Sequence, residues 1–384
     1  MIVMTGLLPV GCLNASDMLG AWIMPAIPDR ATLTRQLRTH PRFADLGADE
    51  LTPMAVKGLA HEHLRVGQRG WVLRVPKQSQ FAFGAQDNLT YQAACFERVS
   101  ASGHAPRLAA VLTPSEELPM GALVVEEIVG RPPRLPDDLP ALAAAMARVH
   151  HLPVPSPMDR PPLADHSDPV AGAMAEITAQ AEYLDAADLD PAAREELEAE
   201  LDWARAFAAR VEGAAQPIRL VLTDTHPGNF LITDDGKAVI VDLEKALYGS
   251  PGTDLAHATL YSSTTWDPDT YADLSLDALG GYYSHYLEAV GPELAQQLRP
   301  WLVPLRRITF LRALTWCVMW SVEHRRAART DAAGHGRDWS ADNTDPALIA
   351  HVADRVAEYL RPETLRRMRA EWLAAPGLAA EIGD

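Results

Sequence analysis

RLVLTDTHPGNFLITDDGKAVIVDLEKALYGSPGTDL, residues 219–255, decides how the rest of the chain is read. Leu220, Val221 and Leu222 form an apolar approach to Asp224. Phe230, Leu231 and Ile232 make a short strand, and Asp234-Asp235-Gly236 supplies the Asp-Gly turn that closes a hairpin. Ala238 to Val241 form the return strand, which delivers Asp242 to the end where Asp224 and Asn229 lie. Two acids and an amide gathered this way suit a hard divalent cation and a phosphate. Mg²⁺ takes oxygen ligands, usually one or two carboxylates plus phosphate oxygens. A further carboxylate can then orient a hydroxyl for phosphoryl transfer. Asp234 and Asp235 read instead as solvated turn acids, because Asp favours such turns by bonding its own backbone.

The ordered set Asp224-Thr225-His226-Pro227-Gly228-Asn229, Val241-Asp242-Leu243-Glu244, Gly249-Ser250-Pro251 and Asp254-Leu255-Ala256 resembles the aminoglycoside phosphotransferase and choline kinase-like family. These are small-molecule relatives of the protein kinases. The resemblance implies an α+β, bilobal protein-kinase-like fold with a β-rich N-lobe and a mainly helical C-lobe. It implies Asp224 as catalytic base, Asn229 and Asp242 as Mg²⁺ ligands, and Asp254 as the structural aspartate that follows the metal loop. Glu244 is a further candidate for the metal site or the acceptor. One departure is plain: the family usually has His-Gly before the catalytic Asp, and this chain has Leu222-Thr223.

Bulk composition, 48% hydrophobic and 22% charged, fits a soluble globular protein. At 384 residues the chain exceeds the usual size of one core, so two lobes are expected. The expected division is an extension over 1–50, a nucleotide-binding lobe over 51–130, and a catalytic and acceptor-binding lobe over 131–384. A net charge of −17 argues against wholesale binding to nucleic acid or anionic membrane. Cys12, Cys95 and Cys317 are too few and too scattered for a disulfide framework, which points to a reducing cytoplasm. Ile2 to Leu13 is apolar but lacks a positively charged leader and contains Pro9, so it reads poorly as a secretory signal. No later stretch is long and apolar enough to span a bilayer.

Ahead of the central stretch, a helix is expected over residues 31–39, and strands over 54–59, 63–66 and 71–75. Gly58 lies where kinase-like folds turn over nucleotide phosphates, yet a single glycine fits a plain hairpin equally well. Trp71-Val72-Leu73-Arg74-Val75 is a buried-looking strand with one cation, and buried charges need a partner. By the resemblance Arg74 reaches the nucleotide phosphates, with Lys77 as a second candidate; a snorkelling surface arginine is the competing reading. The helix expected over 87–101 has Gln92 near the place where the family carries a Glu to pair with that cation. The strand over 121–128 resembles the hinge, which implies adenine contacts from the carbonyl of Glu126 and the N–H of Ile128.

Downstream of Asp254 the chain reads as helical, with separate helices over 292–302 and 305–328 and a polar loop over 331–345. On the second of these, Arg312, Trp316, Trp320 and Glu323 or His324 recur at helical spacing and share a face. With Tyr261, Trp266, Tyr282 and Tyr283 they form either an acceptor wall or plain core. The expected activity is ATP- and Mg²⁺-dependent phosphoryl transfer to a hydroxyl of a small molecule such as an aminoglycoside, amino alcohol or sugar. The competing reading is a kinase-like nucleotide-binding protein without turnover, motivated by the missing histidine before Asp224. A Ser/Thr protein kinase is disfavoured by Asp242-Leu243-Glu244 in place of Asp-Phe-Gly.

Overall fold

The computed structural model describes residues 27–54, 60–77, 79, 81, 83–330 and 346–382. The chain divides into two compact units. One, rich in β-structure, runs to Val129 and also takes in Leu243–Lys245. The other, mainly helical, comprises Gly130–Asp242 and the chain from Ala246 onward.

In the β-rich unit, α1 (Arg30–Arg38) precedes strands β1 (Leu51–Pro53), β2 (His61–Val66) and β3 (Trp71–Pro76). Helix α2 (Ala85–Ser100) and strands β4 (Leu108–Leu112) and β5 (Ala122–Glu126) follow. The five strands make one antiparallel sheet in the order β1-β2-β3-β5-β4. Strand alternation sorts their side chains. Leu64, Val66, Leu73 and Val75 join Leu33 and Leu37 of α1, with Phe43 and Leu46, in one apolar cluster. Helix α1 lies within residues 1–50, set apart above as an extension, yet it contributes core to this unit. β4 is short and was not singled out in the sequence. The strand expected over 54–59 and the Gly58 turn lie outside the described residues, apart from Met54.

The helical unit opens with α3 (Leu139–His150), α4 (Pro169–Ala181) and α5 (Pro191–Arg210). Proline at the first helical position and an aspartate cap set the starts of the latter two. Asp168 accepts from the Ala171 N–H and Asp190 from the Ala192 N–H. Short strands β6 (Arg219–Val221), β7 (Phe230–Ile232), β8 (Ala238–Ile240) and β9 (Leu247–Gly249) carry the central stretch. β7 and β8 form the expected hairpin, and β6 pairs with β9. Helices α6 (Pro251–Thr259), α7 (Tyr261–Thr264), α8 (Leu276–Val290), α9 (Pro292–Thr330), α10 (Pro346–Tyr359), α11 (Pro362–Leu373) and α12 (Leu378–Glu381) complete it.

The break expected near Pro304 does not occur. α9 runs through both Pro300 and Pro304. Each proline removes a helical hydrogen bond, but Leu298, Leu302, Leu305 and Ile308 are all buried along this segment. Burying each such side chain is worth about 1.5–3 kcal/mol, enough to hold the helix through the defect. The loop expected over 331–345 lies outside the described residues.

Candidate active site

The loop from Leu222 to Asn229 joins β6 to β7, and one buried carboxylate shapes it. Asp254, at the start of α6, is fully buried. Its Oδ2 accepts the Leu222 N–H at 2.8 Å and its Oδ1 accepts the Thr223 N–H at 2.7 Å. The Thr225 hydroxyl donates to the Asp254 carbonyl at 2.7 Å. Behind it stands His150 of α3, also fully buried, with Nε2 3.0 Å from Asp254 Oδ2 and Nδ1 2.8 Å from the Tyr286 hydroxyl. A carboxylate can only accept, so Nε2 carries the proton. Burial and the Asp254 charge push the Tyr286 phenol well up, so it keeps its proton to donate to Nδ1. A buried charge with this many donors is satisfied rather than stranded.

Within the loop Thr223 has φ +61° and is the only described residue other than glycine with positive φ. A β-branched residue strains there. This is the position where the resembled family carries glycine. Leu222, where that family carries histidine, is buried in the apolar core instead. Loop support therefore comes from His150, seventy-odd residues upstream, which the sequence reading did not single out. Its signal was a histidine at the end of an otherwise apolar helix face.

Asn229 and Asp242 are brought side by side by the hairpin. The Val241 N–H donates to the Asn229 carbonyl at 2.9 Å, continuing the β7–β8 ladder to its end. Asn229 Nδ2 donates to the Asp224 carbonyl at 2.8 Å, which ties the backbone of this loop to the amide and leaves Oδ1 as an acceptor. Both side chains are partly exposed. An amide oxygen and a carboxylate fit a hard cation whose other ligands are phosphate and water. Among the described residues no group of three His, Cys, Asp or Glu side chains forms a self-sufficient metal cage.

The β-rich unit holds the other sequence candidates. Arg74 is buried, its guanidinium over the Phe96 ring of α2 at 5.2 Å, so the surface-snorkelling reading does not hold. Lys77 is 3.4 Å from Glu62. Glu126 ends β5; its N–H donates to the Arg107 carbonyl and its carboxylate pairs with the Arg107 guanidinium at 3.0 Å. Ile128 follows two residues later, at the end of this unit. Glu244 was a candidate for the metal or acceptor, but it is buried among the residues of the β-rich unit. It accepts from Gln92 at 3.3 Å and lies 3.2 Å from His61 Nε2. Where an α2 glutamate was expected there is Gln92, and the carboxylate arrives from residue 244 instead.

On the acceptor side the helix face proposed from sequence divides. Trp320 is core, stacked on His324 at 4.7 Å, and Tyr282 and Tyr283 are fully buried. Arg307 is held by Glu200 at 2.5 Å and lies over Trp203, a structural role. Arg312 and Trp316 remain partly exposed. Trp316 meets Trp266 edge-on, with ring centroids 6.1 Å apart, and Trp266 meets His351 in the same way at 5.6 Å. Asp267 follows Trp266 and lies against this loop: a Cβ on Gly228 would stand 2.5 Å from its Oδ2, so a side chain there would displace Asp267. Two surface grooves in this unit, one between α8 and α9 and one between α4 and α5, contain none of these residues.

A sequence model described as the phosphotransferase enzyme family matches residues 59–291. A comparison with curated proteins finds no match. Among solved structures, a choline/ethanolamine kinase family protein from Mesorhizobium loti is similar, at 16% identity and a TM-score of 0.55 over 92% of this chain and 98% of that one. An ethanolamine kinase from Plasmodium vivax is similar at 13% identity and TM-score 0.55, over 88% and 96%. The GDP and kanamycin complex of the phosphotransferase APH(2")-IIia is similar at 16% identity and TM-score 0.56, over 89% and 99%. At such identities the likeness speaks for the fold, a bilobal kinase-like α+β architecture.

Proposed function

The chain belongs to the phosphotransferase enzyme family, and on that premise we propose that it transfers the γ-phosphoryl group of ATP to a hydroxyl of a small molecule. The observation that carries this reading is the union of a clamped loop bearing Asp224 with an Asn229–Asp242 oxygen pair at the mouth of one hairpin. Phosphoryl transfer asks chiefly for positioning and charge neutralisation.

Asp224 accepts or orients the proton of the acceptor hydroxyl. Asn229 Oδ1 and the Asp242 carboxylate would hold Mg²⁺, which when bound supplies charge neutralisation across the phosphates. Arg74 neutralises the non-transferred phosphates, and the Glu126 carbonyl and Ile128 N–H bind the adenine edge. The missing histidine before Asp224 does not leave the loop without support, since Asp254 and His150 hold its backbone. That favours turnover over a purely nucleotide-binding role. Among the described residues Cys95 and Cys317 are buried and form no disulfide, in keeping with a cytoplasmic protein. No described helix is long and apolar enough to cross a membrane.

The test is ³¹P NMR of ATP, and separately of GTP, with Mg²⁺ and a panel of hydroxylated acceptors. The expected result is a new phosphate ester and ADP, lost when Mg²⁺ is chelated. Nucleotide binding without consumption across the whole panel would replace this reading with the non-catalytic one.

A further inference from the structure

Two residues of the helical unit reach the loop that bears Asp224, and each has a tryptophan close by in sequence. Arg312 Nη2 lies 3.4 Å from the Thr223 carbonyl, one residue before Asp224. Trp316, one turn further along α9, forms a wall with Trp266. Asp267, next to Trp266, closes on Gly228 at the far end of the same loop.

Arg312, beside that loop, is only loosely matched. Its other ion-pair contact, to Glu176 Oε2 of α4, is 3.5 Å, and the Glu176 side chain is 47% exposed. Charge-assisted pairs normally close to about 2.7–2.9 Å. Other arginines of these helices do so: Arg306 to Glu371 and Arg369 to Glu200, both at 2.6 Å. Arg312 keeps a side chain 24% exposed, five donors in a fixed fork and, among the described residues, two long contacts. His166 shares this environment: burial holds its imidazole below the usual range, Glu176 raises it and Arg312 lowers it.

We infer that Arg312 is the acceptor anchor and that the acceptor carries an anionic oxyacid group, a carboxylate or phosphate monoester, in addition to the hydroxyl that is phosphorylated. The inference rests on the phosphotransferase reading for the role of that hydroxyl. The guanidinium grips the anion, the Trp266–Trp316 wall covers the carbon skeleton, and the hydroxyl is left beside Asp224. A choline- or aminoglycoside-like cation would instead meet a guanidinium of its own sign.

The experiment uses the full chain with Mg²⁺-ATP and four groups of probes. They are hydroxy carboxylates (glycerate, homoserine, an aromatic hydroxy acid), glycerol phosphate, ammonium alcohols (choline, ethanolamine, kanamycin) and neutral polyols (glucose, inositol). Binding is read by saturation-transfer NMR and turnover by ³¹P NMR, so the two readings fail separately. Members of the anionic groups are expected to bind. Arg312→Gln should weaken that binding roughly 10- to 100-fold, as loss of a charged hydrogen-bonding partner does, with Arg312→Lys intermediate. Glu176→Gln removes the competing carboxylate and should tighten it, a change of sign that a structural Arg312 would not produce. Anionic probes that bind through Arg312 without consuming ATP uphold the anchor and overturn the kinase reading. Turnover confined to cationic or neutral probes, or no binding by any anionic probe at millimolar concentration, overturns the anchor and leaves the kinase reading intact.

Discussion

The Thr223 N–H points into the Asp254 carboxylate at 2.7 Å while Thr223 itself holds φ +61°. A β-branched residue in the left-handed region costs on the order of 1–2 kcal/mol. The strain persists because the bond to Asp254, the Leu222 N–H beside it and the Thr225 hydroxyl fix the loop from several directions.

Thr223→Gly should therefore stabilise the protein. Relief of strain outweighs the extra entropy of the unfolded glycine, leaving a net gain on the order of 0.5–1 kcal/mol. Thermal unfolding should show a higher midpoint, and a lower one would mean that the threonine side chain contributes more than its backbone costs.

His150→Phe keeps the ring volume and removes the donor facing Asp254. The buried carboxylate is then left with its backbone donors alone, at a cost of about 2–4 kcal/mol. Denaturant unfolding measures this directly. Stability within a few tenths of a kcal/mol of the parent would show that His150 is packing and not a clamp.

Asp224 and Asp242 should fail differently. Asp224→Asn keeps the shape and removes the base, so kcat should fall on the order of 10²–10⁴-fold while nucleotide affinity stays within a few-fold. Asp242→Ala should weaken Mg²⁺-nucleotide binding as well as turnover. Nucleotide titration with and without Mg²⁺ separates the two, and parental Mg²⁺-dependent binding in Asp242→Ala would remove that residue from the metal site.

Arg74→Ala should raise the KM for ATP more than the KM for the acceptor. The reverse ranking, or an effect seen only in Lys77→Ala, would transfer the phosphate contact to Lys77.

Burial depresses the His166 imidazole. In the unfolded chain it takes up its proton near pH 6.5, before it does so in the folded state. A folded pKa below the unfolded one means full stability above about pH 6.5, lost as pH falls through the folded value. His166→Gln should flatten the stability profile on the acid side. An unchanged slope would assign the acid loss to other groups.

Much of this was legible in residue order. The β7–β8 hairpin follows from apolar runs either side of Asp234-Asp235-Gly236, and its register alone places Asn229 beside the strand that delivers Asp242. α3 follows the same local logic: Leu142, Met146 and Val149 stand at helical spacing and all are buried. Local periodicity and turn chemistry act over a few residues, so sequence reports them directly. The helix break at Pro304 was misjudged because the proline penalty is local, whereas the burial that overrides it comes from neighbours distant in sequence.

The sequence by itself determined the ordered candidate set, Asp224, Asn229 and Asp242, because each lies within twenty residues of the next on one loop and the hairpin that follows it. Tertiary structure alone decided what holds that set and what surrounds it. His150 reaches Asp254 across 104 residues, Glu244 turns to Gln92 across 152, and Arg312 comes to Thr223 across 89. Such contacts leave no periodic trace, since a buried polar side chain is fixed by whichever distant donor or acceptor satisfies it.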